Sequence, residues 1–524
     1  MKKHSKTANK EGGKNQPDLT GQDRFRSNLL HSWGGYLIVF VAGFLSPRLI
    51  DQNLGQMELG IWDFSWTFMN YMKLAMLGIG SSINRYVANY RAAGDIVRLN
   101  RTVSTVVCMQ AAIAFLILLL SVLLCWQTPT LFGSQLGEYT ETARWTVLLL
   151  GISVSINMAF DTSRGVITGC HRWDLHNRIE TVANLMELAG MVTILSLGGG
   201  LCSLGTVVLF VALIAGLWRM FSVPRICPEL HVSLSMFRWS AAQEMLRFGL
   251  KTFAIRSPLL ILVQTTNLLI ASHLGPASLA VFSRSLALVR HTEGFMSKFA
   301  FILAPTAGAL QGQDKEADLR RFFLNTTRYG VAFASPMLFF LIIDGDLILR
   351  IWMGERYVHG PVLAILAIGY FLPISQNSVR EILKGMNAHG KIGLFCFCLT
   401  GICFLTGYII FKQTDWTLNS AAILLAVSLG VGLGIPPPVY ACIKLKTSLT
   451  HYVLHSLLPP MLCNSVFVAS LLAGRYLFPN NAFIAVGVGG SVGVLLLAPL
   501  YLYFVFPEQR PKIWLKVKEK LNWN

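Results

Sequence analysis

VFSRSLALVRHTEGFMSKFAF, from Val281 to Phe301, is apolar enough to lie in a membrane yet carries ions that a lipid-facing helix excludes. At about 100° per residue, Arg284, His291 and Lys298 recur at every seventh position and fall within about 40° of one line. One Arg at the centre of a spanning helix costs about 2.5–3.5 kcal/mol on insertion scales, so a basic stripe requires water, an anion or partner acids beside it. Arg290 and Glu293 are three apart and placed to pair, and Lys298 is near enough to a helix end to snorkel. Partner acids are too few to neutralise Arg284 and His291 as well. The helix is therefore expected to line a polar, anion-accepting cavity inside a membrane protein.

The rest of the chain agrees with a membrane setting. It has 524 residues, 53% hydrophobic and 13% charged, with a mean hydropathy of +0.54; soluble domains average about 25% charged residues. Apolar runs long enough to cross a hydrocarbon core of about 30 Å recur along nearly all of it and leave no room for a sizeable soluble domain. The net charge of +18 resides in alternate loops, which is how orientation is encoded, and nucleic-acid binding is not expected. The basic start lacks an apolar core, so the first span is itself the expected insertion signal.

The expected fold is all-α and polytopic, with about fourteen spans, each roughly 20 residues long. Its expected segments are a disordered basic cytoplasmic tail (1–26), an N-lobe of six helices (27–222), an amphipathic linker (223–249) and a C-lobe of six more (250–440). A final helix pair (441–506) and a basic amphipathic tail (507–524) follow. FRWSAAQEMLRFGLKTF, at the end of the linker, has the period of an interfacial helix entering the next span. Basic loops around Arg91, Arg172, Arg225, Arg320, Lys384 and Lys444 are expected to place both termini in the cytoplasm. The last stretch, PKIWLKVKEKLNW, reads as a helix lying on anionic lipids.

A repeat relates the two sets of six spans. Leu54–Gly55, after the first span, returns as Leu274–Gly275 after the seventh; Asp95 and Asp314 keep nearly the same offset, as do the basic turns holding Gly169 and Gly385. Transporters are commonly built from such repeats, with the binding site at the repeat interface. The eighth span is then the copy of the second, so Asp63 falls beside Ser283 and Arg284, Asn70 opposite Arg290, and Lys73 opposite Glu293. Two polar faces at matching depth would wall one cavity, or be two separate ion pairs holding helices together.

Other candidates are weaker. Arg256 precedes Pro258 near the inner end of the seventh span, and Arg48 lies near the opposite interface; each also suits a snorkelling anchor. Among acids, Asp63 and Glu187 are candidate ion-coupling groups, because an acid inside a span is a functional site by default. Glu180 reads as interfacial, Asp161 and Arg164 as a self-satisfied pair, and Asp344 and Asp346 as solvated residues of an outer turn. Most of the ten cysteines lie in apolar runs without CxxC spacing, so neither a metal nor a structural disulfide is expected. No phosphate loop and no catalytic triad or HExxH is present, so neither cofactor nor enzymatic activity is expected.

The motifs then carry a resemblance. LGQMELGIWDFSWTFMNYMKLAMLGIGSSINRYVANYRAAGDIVRLN, from Leu54 to Asn100, and the FRWSAAQEMLRFGLKTF entry resemble the polysaccharide transporter branch of the multidrug/oligosaccharidyl-lipid/polysaccharide exporter superfamily. The resemblance implies two six-helix lobes around a central cavity, alternating access, and flipping of lipid-linked oligosaccharides such as undecaprenyl-pyrophosphate repeat units. It implies substrate contacts from basic groups on the first, second, seventh and eighth helices, where Arg48, Lys73, Arg256, Arg284 and Arg290 stand. The two extra spans are similar to those that form a tail groove in the lipid II flippase. The implied partners are the lipid-linked oligosaccharide, anionic lipids, and the polymerase and chain-length machinery of the pathway. Rival expectations are a cation-coupled drug exporter on the same fold, which generally relies on intramembrane acids, and a membrane polymerase or ligase, which as a type displays a large outer loop.

Overall fold

The computed structural model describes residues 25–76, 80–300 and 302–507, with side chains described over 37–75, 83–247, 257–300 and 302–507. Apart from Phe25, Arg26 and Pro507, the two expected basic tails fall outside those residues.

The chain is an all-helical polytopic membrane protein. α1 (Phe25–Leu54) turns at Gly55 into α2 (Gln56–Met72), a 3-10 turn (Lys73–Met76) and α3 (Gly80–Ala92). α4 (Ile96–Leu136), α5 (Thr140–Ala159), α6 (Asp161–Gly169), α7 (Trp173–Ser196) and α8 (Leu201–Ile226) complete the first half. The second half runs through α9 (Trp239–Leu274), α10 (Pro276–Ala300), α11 (Leu303–Gly312), α12 (Glu316–Met353), α13 (Val362–Ser375) and α14 (Asn377–Gly385). It continues with α15 (His389–Lys412), α16 (Leu418–Leu429), a π-helical turn (Gly430–Gly434) and α17 (Pro436–Lys444). The final pair comprises α18 (Leu449–Tyr452), a second π-helical turn (Val453–Leu457), α19 (Leu458–Leu477) and α20 (Ala482–Leu500).

Eleven helical stretches among the described residues are long and apolar enough to cross a membrane, and one of them, Ile96–Gly169, is 74 residues long and suffices for two crossings. α2 and α10 are not among them. α2 has only 17 residues, and α10 carries Arg284, Arg290, Glu293 and Lys298. α2 falls short by its length and α10 by its charges, and these are the two helices that correspond in the repeat.

The repeat is visible in the backbone. Gly55 (φ 97°) and Gly275 (φ 83°) hold the left-handed turns that send α1 into α2 and α9 into α10, a conformation that glycine adopts without steric cost. The second span is broken into α2 and α3, and the corresponding eighth span into α10 and α11. In both halves the break lets a short helix pack against the short helix that follows the next long pair. A Cβ on Gly169 of α6 would lie 2.8 Å from the Asn84 carbonyl oxygen on α3, and one on Gly385 of α14 would lie 2.1 Å from the Ala304 carbonyl oxygen on α11. Only a residue without a side chain lets these backbones meet.

The helices gather into two compact units, one comprising Met1–Ser46, Ala75–Trp126 and Trp145–Leu250, the other Pro47–Leu74, Gln127–Arg144 and Lys251–Asn524. In the first unit, Asp161 pairs with Arg164 as expected and also accepts from the Gln110 amide at 3.0 Å. Glu180 engages the buried Arg219 at 2.6 Å, a partner that its reading as a merely interfacial residue misses. Glu187 is half-buried on α7. The linker after α8 is seated on α4: Asn100 Oδ1 accepts the His231 amide at 3.0 Å, and Ser104 Oγ accepts the Ser233 amide at 3.1 Å. Arg91 closes this end on Glu229 at 2.5 Å. The expected amphipathic entry helix is the first part of α9, which continues through Pro258 into the span.

Candidate functional site

The polar cluster of the second unit is built on a close helix crossing. A Cβ on Gly60 of α2 would fall 1.9 Å from the Pro276 carbonyl oxygen at the start of α10, so the two backbones touch there. Gln56 Nε2 donates to the Ala277 carbonyl at 3.2 Å beside that contact. About one turn further along α2 and two turns further along α10, Asp63 and Arg284 face each other, because residues three, four and seven apart share a helix face.

Arg284 is 5% exposed, and its Nη2 donates to both carboxylate oxygens of Asp63 at 2.7 Å. The expectation that no acid is at hand to neutralise Arg284 is thereby corrected: the repeat register places Asp63 at its level, and helix packing brings the two into contact. Only one guanidinium nitrogen is used. Nε and Nη1 are buried without a hydrogen-bond partner, although a buried donor left unmade costs about 1–3 kcal/mol.

Further along α2, Tyr71 and Thr265 of α9 share a hydrogen bond of 2.5 Å, and Asn267 Nδ2 reaches Thr67 Oγ1 at 3.4 Å. Lys73 donates to Asn70 Oδ1 at 3.0 Å and lies 5.1 Å from the centre of the Trp66 ring, a cation–π contact. At the opposite end, Asp51, only 4% exposed, accepts from Arg356 Nη2 and from the Tyr357 hydroxyl, each at 2.5 Å. Arg48 is exposed and reaches the Ile351 carbonyl at 3.5 Å. Arg256 lies on α9, its side chain outside the described residues.

The stripe on α10 does not share one environment. Arg284 is buried, His291 is half-buried, and Lys298, like Arg290, is exposed. The anticipated Arg290–Glu293 ion pair is not formed among the described residues, although the spacing allows it. Two cations missed in the sequence belong to the same unit. Arg380 Nη2 donates to Asn377 Oδ1 at 3.1 Å, and Asn377 Nδ2 donates to Ser297 Oγ of α10 at 2.9 Å. Arg328 is 4% exposed on α12 and donates to Asn325 Oδ1 at 3.2 Å. An Arg within a span without an acid three or four positions away is the signal that would have found Arg328.

Asp344 and Asp346 are not part of a solvated outer turn, because α12 continues to Met353. Asp344 is 0% exposed. Arg475 of α19 holds Asp346 through two hydrogen bonds of 2.6 and 2.8 Å.

The Asp63–Arg284 pair clamps α2 to α10 and leaves two buried guanidinium nitrogens without a hydrogen-bond partner. The described residues include no group of three metal-ligating side chains.

A family model described as "Polysaccharide biosynthesis protein" matches residues 95–360. No curated protein matches at significance. Among solved structures, the chain is similar to the lipid II flippase MurJ in an inward closed conformation, with a TM-score of 0.70 and 15% identity over 93% of this chain and 100% of that one. It is also similar to an inward-facing multidrug resistance MATE family transporter of the MOP superfamily, with a TM-score of 0.65 and 16% identity over 77% of this chain and 94% of that one. A third is a MOP superfamily transporter from Pyrococcus furiosus, described as having a binding pocket of reversed polarity (TM-score 0.57, 13% identity, covering 82% and 96%). At such identities the likeness establishes the fold.

Proposed function

The chain belongs to the polysaccharide biosynthesis protein family, and from that premise we propose that it is a flippase. It moves lipid-linked oligosaccharide repeat units, carried on undecaprenyl pyrophosphate or a similar prenyl carrier, from the inner to the outer leaflet of a bacterial inner membrane for surface polysaccharide assembly. It acts as a carrier by alternating access, with both termini in the cytoplasm, and hands its product to the polymerase and chain-length machinery.

One observation carries this reading. Arg284 is a buried guanidinium whose Nε and Nη1 have no partner while Nη2 is fixed by Asp63. A planar fork held in place and only partly satisfied suits a phosphate oxyanion better than a cationic drug. Arg290, His291 and Lys298 along α10, with Lys73 at the end of α2, Asn70 on α2, Arg256 on α9 and Arg48 on α1, would extend a basic path for the pyrophosphate and sugars. The physical need is plain: a doubly charged glycan head crosses hydrocarbon only if fixed cations replace its water. Asp63 or Glu187 would bind a coupling ion.

Deletion of the gene tests this reading. Lipid-linked repeat units are expected to accumulate on the cytoplasmic leaflet. Accumulation of single repeats on the outer leaflet would favour a polymerase or ligase, and unchanged lipid-linked glycans would favour a drug exporter on this fold.

A further inference from the structure

The C-terminal part of α12 presents a second charged centre that the flippase reading does not use. Arg475 Nη1 and Nη2 bind the two oxygens of Asp346, and Nη1 also donates to the Ile343 carbonyl at 2.5 Å. Asp344 stands on the same guanidinium but no nearer than 3.6 Å. Its side chain is 0% exposed, and neither of its oxygens has a hydrogen-bond donor. α13 closes over the neighbouring backbone, where a Cβ on Gly345 would fall 2.5 Å from Leu363 Cδ2.

The charge count is uneven. One guanidinium serves two carboxylates, and the carboxylate it serves less well is the fully buried one. Arg475 at 3.6 Å offsets only part of the cost of charging a fully buried carboxylate without hydrogen-bond donors, and a proton is the smallest ligand that removes that charge. A cavity of about 490 Å³, lined by Asp346, Arg475, His359 and Ser285 together with apolar side chains, comes up to the guanidinium beside Asp344, and a second, of about 220 Å³, meets the same ion pair from the side of α20.

We propose that Asp344 is a proton-binding site, loaded and emptied through the cavity beside Asp346, with Arg475 as the group that chooses between the two carboxylates. With the proton on Asp344, Arg475 is committed to Asp346, as the structure shows. When the proton leaves, the guanidinium moves toward Asp344, and Asp346 turns to the water of the cavity. The groups acting on Asp344 are Arg475 from α19 and Asp346 from α12. His359, ahead of α13, faces the adjoining cavity, α10 contributes the uncharged Ser285, and Arg350 is engaged by Glu355 at 3.0 Å. Because Arg475 also ties α12 to α19, beside the Asn464–Ser335 hydrogen bond of 2.7 Å, the proton alters one of the links that hold the last helix pair. The site stands on this geometry whatever the chain transports.

Infrared spectroscopy of the purified full-length protein in lipid nanodiscs tests the proposal without any substrate. At neutral pH a carbonyl-stretch band of a protonated carboxylic acid is expected, and Asp344→Asn should remove it. Asp346→Asn should also remove it, by freeing Arg475 to pair with Asp344 and expel the proton. That second result excludes general misfolding, which would not drive Asp344 to ionise while the helical amide bands stay intact. A band that survives both substitutions would overturn the proposal, and so would its absence from the unsubstituted protein. A band that appears only when sodium is withdrawn would mean that a metal cation, not a proton, is the ligand.

Discussion

Arg284→Ala is expected to abolish transport and to destabilise the second unit by about 3–5 kcal/mol, because removing one partner of a buried ion pair strands the other charge. Asp63 would be left in a largely buried position, its side chain only 14% exposed. The two effects separate in a double substitution. Asp63→Asn with Arg284→Met removes both charges and should recover most of the stability, since a buried pair replaced by groups of similar volume is often neutral. Transport should not return, because the free Nε and Nη1 donors are gone. Thermal unfolding in detergent and lipid-linked glycan analysis in the complemented deletion strain provide the readings. Recovery of transport in the double variant would reduce the pair to a structural clamp.

Gly60→Ala should be the most damaging single methyl group in the second unit. Its Cβ would lie 1.9 Å from the Pro276 carbonyl oxygen and 2.3 Å from the Pro276 carbonyl carbon, and backbone cannot rotate away as a side chain can. Overpacking of this kind typically costs about 1–3 kcal/mol and more where the backbone must shift. The shift would also separate Asp63 from Arg284, so transport should fall further than stability alone predicts. Gly487→Ala on α20 is the control, since nothing lies within 4 Å of its added methyl group. There the change should be neutral or stabilising by about 0.5–1 kcal/mol, the helix-interior penalty of glycine. Equal melting temperatures for the two variants would show that α2 and α10 do not depend on this contact.

What could be read before the fold was known was whatever the chain states locally. Apolar runs mark the spans, and the Leu54–Gly55 and Leu274–Gly275 signals mark two left-handed turns at corresponding points. From that register alone Asp63 and Arg284 fall at one level, and the structure joins them. Gly169 and Gly385 were visible as matched turns, but not as the points where α3 meets α6 and α11 meets α14, since a helix period does not say which helix lies opposite. The same gap hid the partners of Asp51, Asp346 and Glu180. Their cations, Arg356, Arg475 and Arg219, stand far along the chain, and a carboxylate near a span end looks solvated until its neighbour is known. Where the pairing was local, as for Asp161 and Arg164, it was legible. The Arg290–Glu293 spacing shows the converse: an allowed pair need not form when both side chains reach water or other groups.

The central claim is movement of a lipid-linked glycan between leaflets, and reconstitution measures it most directly. The purified protein would be placed in vesicles carrying a prenyl-pyrophosphate oligosaccharide, with the outward-exposed glycan followed by digestion with an added glycosidase. The account predicts that the digestible fraction rises from about one leaflet's share to nearly the whole with the unsubstituted protein, and stays at one leaflet's share with Arg284→Ala. A digestible fraction that the unsubstituted protein leaves unchanged, in vesicles where it is folded and inserted, would contradict it.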